Sequence, residues 1–453
     1  MTHWTPSLSD SGTPIYIDIA EAIHADITAG TLRPGDRLPP QRTLAQALGL
    51  DFSTISRAYT EATRRGYTES FVGRGTFVTA SSQPRAAPRL VEEDPRMNMP
   101  PEPTDPALLA QMQAGFIALA PQLPSLMRYQ STTGLAADRE TGVMWLEQNG
   151  LTQDPARLAI APGSHAAIHA ILSQMADPGL TVLCEDLTYP GIRAIAAQLG
   201  LRLIGVPSDG DGIQTKALSD LIIAHRPVAL YLNPTLQNPT TRTMPAKRRR
   251  EVAAVLQMHD LPLIEDDAYL FTAQDAPAPI SSLLPGLAWH VMGLSKLLGA
   301  GLRLAYVSVP TRGQMASFAQ ALRAQNVMSS PLSLALAGRW FQDGTATALQ
   351  SFLRNEARAR QNMATQLLPD LTLTSAPEAY NIWLTLPQDT SRADILSRLR
   401  GLQIGVMPSD AFCTLDTAPE ALRICLGGPI SRDQLESDLL VLLDAVERQD
   451  WLG

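Results

Sequence analysis

Apolar residues near the start of the chain recur with a helical period, and short β-type runs follow them. Between positions 15 and 66 they return every three or four residues, in segments that end at glycine. The predicted elements are helices from Ile15 to Ile27, from Gln41 to Leu48 and from about Ser53 to Gly66, then β-type runs Tyr67–Val72 and Thr76–Val78 joined by Gly73-Arg74-Gly75. This order predicts a small separate domain of helices and a hairpin.

A different pattern follows, in which short apolar runs alternate with helical stretches. The predicted strands are Leu158–Ile160, Thr181–Glu185, Leu201–Val206, Val228–Asn233, Leu261–Asp266, His290–Leu294 and Arg303–Val309. Strands that alternate with helices are typical of an α/β fold with a mainly parallel sheet covered on both faces. Ligand-binding groups are expected at the carboxyl ends of such strands.

A proline-rich segment separates the two patterns. It contains seven prolines, and because proline fixes φ and lacks an N–H group, neither helix nor sheet is expected there. The predicted regions are a small domain over residues 1–80, a stiff linker over 81–106 and a larger domain over 107–453. From about residue 311 the larger domain is predicted to form a small α+β subdomain. Its candidate strands are Tyr380–Leu386, Ile404–Met407 and Leu422–Leu426.

Charge and composition restrict the classes of function. A net charge of −8 argues against binding nucleic acid over the whole surface, although a local basic patch can still do so. Cys184, Cys413 and Cys425 form no CxxC pair and no metal-binding spacing, which indicates a reducing compartment and no metal site. The sequence shows no signal-peptide pattern and no apolar run of membrane-spanning length. We therefore expect a soluble, cytoplasmic protein with no membrane partner.

The third predicted helix carries the candidate chemistry of the small domain. Its outward-facing residues are Thr54, Arg57, Thr60, Glu61 and Arg64. Hydroxyl donors beside an arginine at helical spacing suit entry into the major groove of DNA. Arg42 on the second helix and Arg74 at the hairpin tip add donors, and the glycines beside Arg74 let the tip approach DNA closely. A solvated helix face is the alternative explanation of the same charges.

The stretch LRPGDRLPPQRTLAQALGLDFSTISRAYTEATRRGY, with VGRGTFV after it, resembles the winged helix-turn-helix head of GntR-type regulators over residues 14–78. The resemblance implies binding to a double-stranded DNA operator, with the two heads of a dimer on paired half-sites. The residues expected at the DNA are Arg42, Ser53, Thr54, Ser56, Arg57, Arg74 and Gly75. Phe52 departs from the pattern, because many members have a basic residue there.

Lys296 is the candidate reactive group of the larger domain. It lies in GLSKLLGAGLRLAY, directly after a predicted strand and seven residues before Arg303. A desolvated lysine near a cation has a lowered pKa and can form an imine with an aldehyde, and the arginine can bind a phosphate. A solvated surface lysine is the alternative, and this motif alone does not decide between them.

Four further motifs point to the same chemistry. APGSHAAIHA places Ser164 and His165 at a helix N-terminus, which favours a phosphate. CEDLTYPG places Tyr189 after a strand, where it can stack on a pyridine ring. YLNPTLQNPT offers Asn238 to a phenolate oxygen, and IEDDAY offers Asp266 to a pyridine nitrogen. Singly these are an N-cap, a half-buried tyrosine, an ordinary turn and a strand end; together they favour one cofactor site.

The five motifs resemble fold-type I aminotransferases over roughly residues 107–453, and the resemblance implies pyridoxal 5′-phosphate (PLP) as cofactor. It implies that Lys296 forms the internal aldimine, that Asp266 pairs with the pyridinium and that Tyr189 stacks on the ring. The other implied contacts are Asn238 and Tyr269 at the ring oxygen, Ser164, His165, Ser295 and Arg303 at the phosphate, Arg423 (in ALRICLGG) at an effector carboxylate, and Tyr129 (in RYQSTTG) at the phosphate of a neighbouring subunit. The fold also implies a homodimer, in a domain-swapped, head-to-tail arrangement.

Three positions depart from the aminotransferase pattern. His165 replaces a common glutamine, Gly293 replaces a frequent serine or threonine, and Thr241 stands where glycine is usual. These departures concern phosphate binding and leave the Schiff-base lysine in place.

Both halves on one chain resemble the MocR/GabR subfamily of GntR-type regulators. The resemblance implies a transcription regulator, nucleoid-associated when bound to DNA, in which a small amine or amino acid displaces Lys296 from PLP and shifts the domain arrangement. A working aminotransferase with an accessory DNA-binding head is the alternative, because the groups needed for transamination are present. A third hypothesis treats the aminotransferase part as a dimerisation scaffold only, and Lys296, Asp266 and Asn238 argue against it.

Overall fold

A computed structural model describes residues 4–6, 14–71, 75–79, 97–388 and 390–447. The chain forms two compact units, Met1–Glu93 and Asp94–Gly453. Within the described ranges, no helix is long and apolar enough to cross a membrane.

The first unit is built from α1 (Ile15–Thr28), α2 (Gln41–Leu48), α3 (Phe52–Arg64), β1 (Thr68–Phe71) and β2 (Gly75–Val78). The two strands pair antiparallel, as the predicted hairpin requires. Apolar residues at helical spacing, among them Ile19, Ile23 and Ile55, are fully buried, and this packing holds three short helices together. Asp51 caps α3, because its side chain accepts a hydrogen bond from the backbone N–H of Ser53 at 2.7 Å.

The second unit alternates helices and strands along most of its length. Its helices are α4 (Pro106–Ile117), α5 (Leu123–Leu126), α6 (Ala136–Gln148), α7 (Ser164–Ser173), α8 (Pro190–Gln198), α9 (Thr215–His225), α10 (Ala246–Met258), α11 (Gln314–Asn326), α12 (Pro331–Gln342), α13 (Thr345–Leu367), α14 (Arg392–Arg398) and α15 (Arg432–Glu447). Its strands are β3 (Leu158–Ala161), β4 (Thr181–Glu185), β5 (Arg202–Val206), β6 (Ser208–Asp209), β7 (Gly212–Ile213), β8 (Ala229–Leu232), β9 (Leu263–Asp266), β10 (Ala288–Gly293), β11 (Ala305–Ser308), β12 (Thr372–Thr374), β13 (Asn381–Thr385), β14 (Val406–Pro408) and β15 (Ala421–Cys425).

A seven-stranded sheet lies at the centre of this unit, in the order β3-β11-β10-β9-β8-β4-β5. β11 runs antiparallel to both of its neighbours, and the other adjacent pairs are parallel. The residues of β3, β4, β8 and β9 are all buried, as expected for strands covered on both faces. The predicted α/β fold with a mainly parallel sheet is confirmed.

A smaller subdomain follows the central sheet in the chain. Its four-stranded antiparallel sheet has the order β12-β13-β15-β14, and α13 and α15 contribute to its apolar core. The three-residue strand β12 and the two-residue strands β6 and β7 are absent from the sequence-based prediction, because segments this short carry no measurable period.

The end of the predicted linker packs within the second unit. Asp105 caps α4 and Pro106 occupies its first turn, where the missing N–H costs nothing. Upstream, Pro101 forms a β-bridge with Gly428, and the Gly428 N–H donates to the carbonyl oxygen of Pro100 at 3.1 Å. This end of the proline-rich segment is therefore held by hydrogen bonds to the residues that follow β15.

Candidate functional site

Loops at one edge of the central sheet enclose a cavity of about 440 Å³. Segments that follow β3, β4, β8, β9 and β10 contribute to its wall, and β11, which runs in the opposite direction, begins at the same edge. The sequence-predicted residues that line the cavity are Ser164, His165, Tyr189, Asn238, Asp266, Tyr269, Ser295, Lys296, Arg303 and Arg423. The structure therefore brings these residues together at the carboxyl ends of the parallel strands.

The N-terminus of α7 and the guanidinium of Arg303 form a cationic part of the wall. Gly163 precedes α7 with a φ of 93°, and a Cβ atom there would lie 2.9 Å from Nη2 of Arg303. Glycine leaves this approach open, so backbone N–H groups and the guanidinium can bind the same anion. Burial, together with Arg303, lowers the pKa of His165, which favours its neutral form.

Asp266 ends β9 and lines the cavity. Its Oδ2 accepts a hydrogen bond from the Tyr231 hydroxyl at 2.7 Å, whereas Oδ1 is buried and has no hydrogen-bond partner among the described residues. Burial raises the pKa of this carboxyl to about 6, although the Tyr231 hydrogen bond acts in the opposite direction. A buried carboxylate with an unused acceptor is suited to a cationic N–H group of a ligand.

Lys296 follows β10 and is partly buried. Its burial lowers the pKa of the amine to about 8. Nζ donates to the backbone carbonyl of Asn98, and the hydroxyl of Tyr380 donates to the Lys296 carbonyl at 3.0 Å. The chain contains only two other lysines, Lys216 and Lys247, whose side chains are 89% and 84% exposed. Lys296 is thus the lysine that its surroundings make nucleophilic near neutral pH.

Arg423 extends from β15 of the small subdomain into the cavity wall and is 2% exposed. Its Nη1 donates to Oδ1 of Asn238 at 3.4 Å, and its guanidinium lies 5.3 Å from the ring centre of Phe412. The backbone N–H of Asn238 donates in turn to Oδ1 of Asn233 at 2.9 Å. A planar guanidinium held in this way can bind a carboxylate through two parallel hydrogen bonds.

The predicted DNA-binding residues of α2 and α3 lie at the surface of the first unit. Arg42, Ser53 and Arg57 are exposed, and Thr54 and Ser56 are partly exposed. The guanidinium of Arg57 lies over the ring of Tyr16, 4.6 Å from its centre, which restricts the rotamers of the arginine. Ser53, Thr54, Ser56 and Arg57 form a polar face on the N-terminal half of α3.

Two other arginines of this region are neutralised by acids. Arg64 and Arg65 each lie 2.6 Å from a carboxylate oxygen of Glu61, and Arg65 also pairs with Glu21. Positive charge available to DNA is therefore concentrated towards the start of α3 and away from its end.

The hairpin is described only in part. Gly75 begins β2 with a φ of 108°, and a Cβ atom there would lie 2.8 Å from Nε of Arg37. The positive φ favours glycine here, and a side chain at this position would also displace the guanidinium of Arg37. Arg74 lies outside the described residues.

Comparison with known proteins divides the chain at the same place as the structure. Residues 15–78 match the gntR family of bacterial regulatory proteins, and residues 98–437 match the family described as aminotransferase class I and II. The chain is 29% identical over 455 residues to YdeF of Bacillus subtilis, an uncharacterised HTH-type transcriptional regulator, covering 97% of this chain and 96% of that protein. It is 25% identical over 444 residues to the HTH-type transcriptional regulator TauR of Rhodobacter capsulatus, covering 87% of this chain and 88% of TauR. 

The chain belongs to the MocR/GabR subfamily of GntR-type transcription regulators.

The second unit of this MocR/GabR-type regulator also resembles solved aminotransferase structures. One is LysN, the alpha-aminoadipate aminotransferase of Thermus thermophilus, complexed with N-(5′-phosphopyridoxyl)-L-leucine. It matches with a TM-score of 0.69 and 21% identity, covering 77% of this chain and 90% of that one. The likeness confirms the fold-type I aminotransferase architecture predicted for the larger domain.

Two of the departures noted in the sequence have a local structural setting in this regulator. A Cβ atom at Gly293 would lie 2.5 Å from Oγ of Ser164, so a serine or threonine there requires Ser164 to move. Thr241 has a φ of 62°, in the left-handed region that favours glycine, and is buried. The third departure, His165, lines the cavity.

Several residues of the site were missed by sequence reasoning. Asn233 donates from Nδ2 to the backbone oxygen of Asp266 at 2.6 Å, and Tyr231 binds the carboxylate of the same residue. Asn98 donates from Nδ2 to the Tyr269 hydroxyl at 2.6 Å. Tyr231 and Asn233 carry a usable signal, because they lie at the end of a predicted strand. Asn98 carries none, because it lies in the proline-rich segment.

Tyr129 is the one predicted cofactor residue that does not line the cavity. Its side chain is 84% exposed. The family resemblance assigns it to the phosphate of a neighbouring subunit, and that assignment stays a prediction about a dimer.

Proposed function

We propose that this regulator holds PLP covalently on Lys296 and senses a primary amine or amino acid that competes with Lys296 for the cofactor. The observation that carries the proposal is the shared cavity, which is lined by both the partly buried Lys296 and the unpartnered Oδ1 of Asp266, in a chain that also has a DNA-binding head. The test is to add PLP to the full-length chain, reduce with borohydride and map the modified lysine.

The residues of the cavity fit PLP. Asp266 offers a buried acceptor to the pyridine N–H, and Tyr189 is placed to stack on the ring. Arg303 and the N-terminus of α7 at Ser164 offer donors to the phosphate. When bound, PLP supplies an aldehyde carbon that can be exchanged between amines.

Three more residues complete the proposed cofactor site. Asn238 and Tyr269 hold the ring oxygen, and Ser295 adds a donor for the phosphate beside Lys296. Arg423, which contacts Asn238, is positioned to bind the carboxylate of an amino-acid effector. An effector of this class would be recognised at both ends, by amine exchange and by the guanidinium.

The ionisation of Lys296 gives the cofactor proposal a pH signature. An amine attacks an aldehyde only in its neutral form, so capture of PLP by the unloaded chain should become faster as pH rises and level off above a pH of about 8. A solvated lysine, with a pKa of about 10.4, would still be gaining rate at pH 9. Stopped-flow absorbance at fixed ionic strength measures the profile, and a midpoint near 10 contradicts the burial argument.

DNA binding is proposed to use the N-terminal half of α3. Replacing Arg57 with alanine should weaken binding to an operator by about 1–3 kcal/mol if its guanidinium reads a base edge. Arg64→Ala is the matched control on the same helix, because Arg64 is engaged by Glu61 and should change affinity by less than about 1 kcal/mol. Mobility-shift titrations at constant salt, on DNA selected from a random pool, compare the two. Equal losses in both variants would place the contact elsewhere.

A homodimer is proposed as the working form. Large apolar side chains on α4, near α5 and on α6 are exposed in the single chain, among them Ile117, Met127 and Met144, and Tyr129 lies close to them in sequence. A second copy of the chain would cover these residues and allow Tyr129 to reach the partner's phosphate site. Sedimentation of the full-length chain should give twice the mass of one chain.

An active aminotransferase is the second candidate function. It is favoured by one observation, that the cavity contains Lys296, Asp266 and Arg423 together. Steady-state conversion of an amino donor by the full-length chain, above the amount of bound PLP, would support turnover. Conversion that stops at one equivalent would support a sensor.

A further inference from the structure

The segment Met97–Pro101, called the strap below, lies against the same cavity as Lys296. Met97 and Asn98 line the cavity wall. The backbone carbonyl of Asn98 accepts a hydrogen bond from Nζ of Lys296. The strap therefore contacts the one atom of the chain that is proposed to change its covalent partner.

The side chain of Asn98 anchors the strap to both parts of the second unit. Its Nδ2 donates to the Tyr269 hydroxyl at 2.6 Å and to Oδ1 of Asn381 at 2.8 Å. Its Oδ1 accepts from Sγ of Cys425 at 3.4 Å. Asn98 is 4% exposed, so these bonds form away from water, where losing one is costly.

The end of β15 holds the rest of the strap. Pro101 pairs with Gly428, and the Gly428 N–H donates to the carbonyl oxygen of Pro100 at 3.1 Å. A Cβ atom at Gly427 would lie 1.7 Å from the carbonyl oxygen of Met99. The strap can occupy this position only because residue 427 has no side chain.

We infer that the strap reports the covalent state of Lys296 to the DNA-binding head, through the Asn98 carbonyl. This inference rests on the proposed function. The strap is continuous in sequence with residues 80–96, which connect it along the chain to the helices and hairpin of the first unit. A change in the hydrogen bonds that hold the strap therefore changes the segment of chain through which the head is attached.

The chemistry of Nζ provides the two states. A free lysine amine has hydrogens to donate to the Asn98 carbonyl. Condensation with an aldehyde forms a C=N bond and releases both amine hydrogens with the aldehyde oxygen as water. Exchange with an incoming primary amine transfers the carbon to that amine and returns two hydrogens to Nζ, so no oxidant or reductant is needed. The Lys296–Asn98 hydrogen bond is therefore present when an effector has replaced Lys296 and weakened when Lys296 holds the carbon.

The full-length chain loaded with PLP or with pyridoxamine 5′-phosphate provides a direct test. The second compound has no aldehyde, so it leaves the Lys296 amine free. Hydrogen exchange at the Gly428 amide, which bonds to the strap, should be about tenfold slower with pyridoxamine 5′-phosphate, as expected for one added buried hydrogen bond. Affinity for DNA selected from a random pool should also differ between the two forms.

Two variants loosen the strap while keeping Lys296 itself. Gly427→Ala displaces Met99, and Asn98→Asp removes the donor to Tyr269 and Asn381. In both variants, hydrogen exchange at the Gly428 amide should be the same with PLP as with pyridoxamine 5′-phosphate. The affinity for DNA should likewise not differ between the two compounds. Gly210→Ala is the control, because a Cβ atom there meets nothing within 4 Å, and it should behave as wild type.

The outcomes separate this inference from the function on which it rests. If borohydride fixes no PLP on Lys296, the proposed function fails. If PLP is fixed but the wild-type chain shows no difference between the two compounds, only the strap inference fails. It fails too if the wild-type difference persists in folded Gly427→Ala and Asn98→Asp proteins, with folding checked by circular dichroism and thermal melting.

Discussion

Replacing Lys296 with alanine should abolish every covalent PLP adduct that borohydride can fix in the wild-type chain. The reason is that Lys296 lines the cavity, where burial lowers the pKa of its amine to about 8, whereas Lys216 and Lys247, the other two lysines of the chain, are exposed. Mass spectrometry of the reduced protein measures the adduct directly. The variant should still bind PLP reversibly, because Asp266 and Arg303 remain in place.

Lys247→Ala is the matched control for this experiment. Lys247 is exposed and lies beside Glu251 on α10, so its loss should leave the yield and position of the adduct unchanged. A reducible adduct that survives in Lys296→Ala, at either remaining lysine, would refute the assignment of Lys296 and with it the proposed mode of sensing.

Sequence reasoning located most of the residues that line the cavity, because the ends of strands can be recognised in a sequence. Asp266 is the last residue of its strand, Ser164 and Lys296 lie three residues beyond theirs, and parallel strands bring such positions to one edge. The same reasoning predicted the α/β fold, since the runs alternate with helices. The residues at the carboxyl ends of the strands can thus be predicted from the sequence without knowing the order of the strands in the sheet.

Other parts of the site depend on contacts that no local pattern records. Asn98 lies 198 positions before Lys296 and in a segment whose prolines predict only an extended chain. The clash that a side chain at Gly293 would make with Ser164 likewise depends on how β10 and α7 pack. The pairing of Arg65 with Glu21 joins α1 to the residue that follows α3, so the sequence overstates the basic charge of the head.

Arg423→Lys should remove the preference of the PLP-loaded chain for amines that carry a carboxylate. Glycine and glycinamide are a suitable pair of probes, because they differ in charge but hardly in shape. If the guanidinium binds the carboxylate through two hydrogen bonds, glycine should shift the cofactor absorbance at a concentration about 10–100 times lower than glycinamide does in wild type, after correction for amine pKa. Lysine keeps the charge but not the planar pair of donors, so most of this ratio should be lost in the variant.

Arg360→Lys separates recognition from stability. Arg360 is also buried in the small subdomain, but it donates to the carbonyl oxygens of Leu426 and Ile430 and pairs with Glu356, which is a structural role. Its replacement should lower the melting temperature and leave the ratio between glycine and glycinamide intact. A purely structural Arg423 would behave in the same way, lowering stability and weakening both probes equally. The ratio between the effective concentrations of glycinamide and glycine therefore distinguishes a binding role of Arg423 from a structural one. If this ratio is unchanged in Arg423→Lys, the carboxylate is bound by another group of the cavity.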